Sequence, residues 1–182
     1  TYEYPGSAAG FTFDSLGLSD ADAAKANKPR LLGTDNALYV PVNKVVEVET
    51  VGADVIHSWA MPQMGVKMDA VPGRSNHTWF KATQTGVFYG QCSELCGARH
   101  AYMPIELHVV SDAEYAAWLA DSKKKYAALG NDATRVAALL SGEIDVMEPV
   151  PVQDIDKVNG SANAKVLAGP ELRTIFLGLD QK

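Results

Sequence analysis

Residues 90–104, Gly-Gln-Cys-Ser-Glu-Leu-Cys-Gly-Ala-Arg-His-Ala-Tyr-Met-Pro, constrain the fold more than any other stretch of the chain. They place two thiols (Cys92, Cys96), an imidazole (His100) and a thioether (Met103) close together, and the chain holds no other cysteine. Soft sulfur donors mixed with imidazole select copper, zinc or iron–sulfur over magnesium or calcium, which take oxygen. Gly90, Gly97 and the closing Pro104 predict a tight loop rather than a helix. The run reads as a metal loop, and the surrounding chain has to supply a scaffold that holds it.

That scaffold reads as β. Leu38-Tyr-Val-Pro-Val42 and Val45-Val-Glu-Val-Glu-Thr-Val51 are rich in β-branched residues, and the second alternates apolar with acidic side chains. Pro41 predicts an edge or strand-switch position. Residues 54–59, 77–81, 86–90 and 105–110 read as further short strands, and the stretch carrying Pro62, Gly65 and Pro72-Gly73 reads as loop. Six or so short strands at turn-marked intervals predict a sandwich or barrel.

The flanks differ from this centre. Residues 2–5 and 11–13 look like short strand pieces, and residues 19–27 like a short capped helix or acidic loop. Ser111-Asp-Ala-Glu114 is a capping box that starts a helix through Tyr115, Trp118, Leu119 and Tyr126. Residues 132–140, ended by Gly142, and 170–177, ended by Gly178, read as two more helices, with Glu148-Pro-Val-Pro-Val-Gln153 as an extended linker. The chain thus divides into an N-terminal segment at 1–34, a domain at 35–126 that includes the helix after the last strand, and a partly helical extension at 127–182.

Composition narrows the partners. At 182 residues, with 47% apolar and 21% charged side chains, the chain can supply a real core. Its net charge of −6 disfavours nucleic acid and anionic membrane surfaces and suits a basic protein partner. No apolar run approaches the roughly 20 residues needed to cross a bilayer. Two cysteines only four positions apart make a poor structural staple, since cross-linking gains entropy with loop length.

The donor set excludes most alternatives. A structural zinc site wants four closed Cys or His ligands, usually with a second pair elsewhere, and Met is a poor zinc ligand. A nucleophilic cysteine needs a base but gives no role to a second thiol. A mononuclear blue-copper site uses one Cys, two His and an axial Met, which leaves one thiol over. Two thiolates can instead bridge two coppers if each metal gains an imidazole. His100 supplies one; the other must be His57, His77 or His108. His108 reads as a satisfied strand histidine, His77 as surface, and Met61, Met64 and Met68 as packing.

Three stretches carry a family resemblance: Asp54-Val-Ile-His-Ser-Trp-Ala-Met-Pro62, Val66-Lys-Met-Asp-Ala-Val-Pro-Gly-Arg74 and the metal loop itself. In this order they resemble subunit II of cytochrome c oxidase over roughly residues 34–120, with residues 1–5 as a further fragment. The resemblance implies an all-β, cupredoxin-like Greek-key barrel or sandwich with a C-terminal helical extension. It implies a dinuclear copper A centre in which Cys92 and Cys96 bridge, His57 and His100 are terminal ligands, and Met103 and the Glu94 carbonyl are weak axial ligands. It also places the Glu94 carboxylate on a magnesium ion shared with subunit I, a hard donor for a hard cation.

As to function, the resemblance implies an electron-entry subunit that takes electrons from cytochrome c and passes them to haem a in subunit I, where oxygen reduction and proton pumping occur. Subunit I and the other oxidase subunits are then partners. Asp54 and Asp69, which flank the copper loop, are the expected contacts for cytochrome c. The location is the outer face of an energy-transducing membrane, in a bacterial periplasm or a mitochondrial intermembrane space. The two transmembrane helices usual ahead of this domain are not in the sequence, so the expectation is a soluble piece or helices on another polypeptide. Glu94 between the cysteines separates an oxidase from nitrous oxide reductase, and the two thiols argue against a quinol oxidase. The rival from another class is a thioredoxin-type copper-delivery or thiol-redox protein that binds one copper; it calls for alternating βαβ elements and has no use for His100 or Met103.

Overall fold

The computed structural model describes residues 1–5, 10–127, 132–142, 154–161, 164–166, 174–175 and 179–181. Its centre is built from β3 (Leu38–Pro41), β4 (Val45–Gly52), β5 (His57–Met61), β6 (Val66–Ala70), β7 (Asn76–Lys81), β8 (Gly86–Gln91) and β9 (Pro104–Val110). In β4 the alternation read from sequence becomes alternation in space, with Val46, Val48 and Thr50 buried and their neighbours facing outward. β9 runs between β3, which it pairs in parallel, and β8, which it pairs antiparallel. β3 is an edge strand that ends at Pro41, as its proline requires. β4 pairs β7, and β5 pairs β6. The architecture is the expected all-β, cupredoxin-like one with helices after the last central strand, although among the described residues the hydrogen-bonded sheets stay separate and do not close into one ladder.

One strand departs from the sequence reading. β6 lies in a stretch read as loop, because Val-Lys-Met-Asp-Ala carries little β signal of its own. It is held by five register pairs to β5, through a 3-10 turn at Pro62–Met64 closed by Gly65 at φ 67°. β5 is buried along its whole length, so its partner strand is set by burial on both sides rather than by local preference. β5 also starts later than expected: residues 54–56 form the bend that leads into it.

The flanks pack on this centre. β1 (Tyr2–Tyr4) and β2 (Phe11–Phe13) form a small antiparallel pair whose rings meet Trp118 tilted or edge-on and stack on Tyr126, both of α2 (Asp112–Ala127). The capping box is closed in both directions: Glu114 N–H donates to Ser111 Oγ at 3.3 Å, and Ser111 N–H to Glu114 Oε2 at 2.9 Å. α1 (Asp20–Lys25) is capped by Ser19. The following loop is tied to β9 by a buried carboxylate: Glu106 Oε2 accepts from Lys28 Nζ at 3.0 Å and from Thr34 N–H at 2.8 Å.

Past residue 127 a second, small apolar cluster joins Val136 and Leu139 of α3 (Asp132–Ser141) to Val158 of α4 (Ile155–Asn159). α3 ends where the sequence places its stop, at Gly142 with φ 79°. The helix expected at residues 170–177 is corrected at the two positions described there. Thr174–Ile175 form β10, and with β11 (Leu179–Gln181) they pair antiparallel with the second edge of β4. β-branched residues beside an unpaired strand edge favour extension over helix. The linker expected at residues 148–153 lies outside the described residues.

Candidate metal centre

Three elements converge on the two thiols. The loop after β8 carries Cys92, Glu94 and Cys96; a 3-10 turn at His100–Tyr102 and the start of β9 bring His100 and Met103 back over it; β5 presents His57 from below. The loop is pinned by backbone bonds: Cys92 N–H donates to the Met103 carbonyl at 3.0 Å, and Ser93 N–H to the Ser58 carbonyl at 3.2 Å. Gly97, at φ 119°, turns the chain between Cys96 and His100. A Cβ on Gly90 would fall 2.0 Å from the Ala60 carbonyl oxygen, so β8 approaches β5 as closely as it does only because that position is glycine.

The donor atoms form a compact set. The sulfurs of Cys92 and Cys96 are 3.8 Å apart and unbonded. His57 Nδ1 lies 3.9 Å from the Cys92 sulfur, and His100 Nδ1 3.5 Å from the Cys96 sulfur. Met103 Sδ is 3.5 Å from Cys96, and the Glu94 carbonyl oxygen 3.3 Å from Cys92. The six groups named from the sequence therefore line the two thiols, His57 and the Glu94 carbonyl at Cys92 and His100 and Met103 at Cys96, with the ligand atoms of His57, Cys92 and Cys96 all within 4.8 Å of one another. Two free thiols, two imidazoles with an inward nitrogen and a thioether fit a soft metal. Burial and the neighbouring Cys92 push the Cys96 thiol up to about 11. Metal uptake must displace protons from such a pair.

The two aspartates take different positions. Asp69 sits on β6, half exposed, where Lys67 Nζ donates to it at 2.6 Å and holds its carboxyl below the usual range. The same Lys67 reaches the Glu94 carboxylate at 3.4 Å. Asp54 instead turns inward at the start of the β5 bend, with its side chain only 16% exposed and Oδ1 2.8 Å from His57 Nε2. Burial alone would raise the Asp54 pKa, but hydrogen bonds from His57 and the Val55 backbone hold it below the ordinary carboxylate value.

Of the remaining side chains singled out by sequence, His108 donates from Nε2 to Glu106 Oε1 at 2.8 Å and stacks on Tyr39. His77 is an exposed residue between Glu47 and Glu49. Met61 is fully buried and Met64 packs on the core. The sequence reading did not single out Lys67, whose i, i+2 spacing from Asp69 on a strand was the available signal. It also missed an apolar rim around the centre: Leu95 is 81% and Tyr102 60% exposed, with Val55 and Ile56 nearby in sequence to His57.

Known proteins resemble this chain in the same regions. A family model described as "Cytochrome C oxidase subunit II, periplasmic domain" matches residues 1–110. Cytochrome c oxidase subunit 2 of Cereibacter sphaeroides is 61% identical over 93 residues, 51% of this chain and 31% of that protein. A probable cytochrome c oxidase subunit 2 of Rickettsia bellii (strain RML369-C) is 47% identical over 125 residues, 69% of this chain and 46% of that one. The chain thus spans less than half the length of these relatives. The crystal structure of the periplasmic domain of cytochrome oxidase subunit II of Bradyrhizobium japonicum superposes with a TM-score of 0.62 at 56% identity, covering 68% of this chain and 85% of that one. The family match covers more than half of the chain and includes every donor of the centre, so this chain belongs to the cytochrome c oxidase subunit II periplasmic-domain family.

Proposed function

We propose that this chain is the copper A domain of a cytochrome c oxidase and acts as its electron-entry module. It accepts electrons from cytochrome c and passes them to haem a in subunit I, at the outer face of the membrane. The observation that carries the reading is the meeting of two free thiols, 3.8 Å apart, with one imidazole nitrogen facing each. In it Cys92, Cys96, His57 and His100 would be the strong ligands that hold the two coppers, and Met103 and the Glu94 carbonyl the weak ones. When bound, the copper would supply one-electron redox chemistry. The protein's part is to hold the ligands still: β5 and the pinned loop fix the donor positions before metal arrives, which limits rearrangement. With the strong positions filled by protein, the domain would act as a relay, and oxygen reduction is assigned to subunit I.

Further roles follow from the same reading. The Glu94 carboxylate, half exposed beside Lys67, is assigned to a magnesium ion at the boundary with subunit I. Cytochrome c docks over the rim of Leu95 and Tyr102, with Asp69 as an acidic contact. Asp54, the other acid assigned to cytochrome c from sequence, remains part of that surface only through its small exposed fraction. For a relative's domain, a solved structure with a TM-score of 0.55 at 57% identity, covering 65% of this chain and 79% of that one, is described as a mixed-disulfide intermediate with a thioredoxin-like protein. By analogy, Cys92 and Cys96 have to be kept reduced before metal can enter.

The thioredoxin-type copper carrier is disfavoured by the β-rich centre and by the presence of His100 and Met103 beside the thiols. The experiment is to load the purified protein with copper and record the metal count and electron paramagnetic resonance spectrum. Two coppers and a seven-line hyperfine pattern are expected, and Cys96→Ser should reduce this to a mononuclear or empty site. One copper with four lines in the unmodified protein would overturn the dinuclear reading.

A further inference from the structure

We propose that Asp54 is a positioning residue for the metal centre, whose carboxylate accepts the Nε2–H of His57 and so fixes the tautomer that turns the Nδ1 lone pair toward Cys92. This rests on the copper reading above and adds a residue to it. A neutral imidazole carries one N–H and one lone pair. A carboxylate oxygen 2.8 Å from Nε2 can only be met by an N–H there, which leaves Nδ1 free to bind metal, 3.9 Å from the Cys92 sulfur. Both groups are largely screened from water: the His57 side chain is 3% and the Asp54 side chain 16% exposed, and Asp54 Oδ2 itself is buried without a protein partner among the described residues. A buried carboxylate in this setting acts on what it touches, and it touches a donor ring.

The two imidazoles are therefore held unequally. His57 is clamped from behind by a charge, whereas the polar contact of the His100 ring among the described residues is the Cys96 sulfur. Removing Asp54 should disturb one end of the centre and leave the other. The carboxylate does two separable things. As an acceptor it selects the tautomer. As a negative charge behind a ligand it favours the more positive, oxidised state of the centre and lowers its reduction potential.

Asp54→Asn retains an acceptor and removes the charge; Asp54→Ala removes both. The first measurement needs no metal: ¹⁵N shifts of the His57 ring in the copper-free protein should show the Nε2–H form in the wild type and in Asp54→Asn, and a tautomer mixture in Asp54→Ala. The second follows copper loading and potential. Asp54→Asn should keep two coppers at a raised potential, and Asp54→Ala should lose about 10–100-fold in copper affinity. Asp112→Asn, changed at the exposed start of α2, should leave the His57 ring shifts and the copper affinity unchanged. If Asp54→Ala does not fold, the potential of Asp54→Asn decides, since an unchanged potential overturns the charge effect. Unchanged ring shifts, affinity and potential in the variants would overturn the inference while leaving a two-copper wild type intact. A wild type that does not take up two coppers would instead sink the functional reading, with the tautomer result still standing for the copper-free protein.

Discussion

The buried carboxylate of Glu106 ties the N-terminal segment to β9. Glu106 is 1% exposed on β9, and it gathers Lys28, the Thr34 backbone and His108 around its two oxygens. A buried charge is tolerated only when its lone pairs are met in this way. Burial works against ionisation, but the Thr34 N–H, His108 and Lys28 together hold the Glu106 carboxyl below its usual value. A carboxyl depressed in the folded state, against about 4.3 when unfolded, contributes stability above the unfolded value and loses it as pH falls through the folded one. Glu106→Gln should therefore destabilise the protein by about 2 kcal/mol at neutral pH. The gap between the variant and the wild type should narrow on acidification. Urea melts of both proteins at pH 7 and below pH 4 check this; a gap that stays constant would count against a charged Glu106.

At the scale of elements, the metal loop depends on how closely two strands approach. β8 delivers Cys92 and β5 delivers His57, and Gly90 lets them touch. An added methyl would meet the Ala60 carbonyl at 2.0 Å and the Met61 sulfur at 2.6 Å. The first of these contacts is backbone and cannot move without moving β5. Gly90→Ala is expected to cost on the order of 2–3 kcal/mol, within the range for overpacking, and to weaken metal uptake because Cys92 lies two residues on. Thermal melts with copper titration test both effects; wild-type stability in the variant would show that the strands are free to part. The glycine itself was visible in the sequence as the opening of the loop. Its reason was not, because no local pattern records which strand lies across from it.

For the whole molecule, charge and the apolar rim define how a partner is met. On the proposed function, the net charge of −6 would steer a basic partner, and the exposed Leu95 and Tyr102 would offer it apolar contact. Asp69→Asn should slow association with cytochrome c and flatten its dependence on ionic strength while leaving the copper spectrum unchanged. Stopped-flow rates across a salt series provide the test, and an unaltered slope would remove Asp69 from the contact surface. The effect is expected to be modest, because Lys67 already neutralises part of that charge. Sequence position alone put Asp54 and Asp69 in one class; the chain path separates them, since one lies in an inward bend and the other on an exposed strand.

By itself the sequence determined the chemistry and most of the scaffold. Cys92, Cys96, His100 and Met103 fall in one short run closed by Gly97 and Pro104, so a single tight loop suffices to bring them together, and β4 and α2 carry their burial patterns in their own periodicity. Tertiary structure decided the rest. His57 faces the loop because β5 passes beneath it, β6 is a strand because β5 needs a partner, and Asp54 points at a donor ring because the bend before β5 curls inward. The physical reason is the same for all three. Burial and close approach depend on neighbours that are distant along the chain, and local preference carries no record of them.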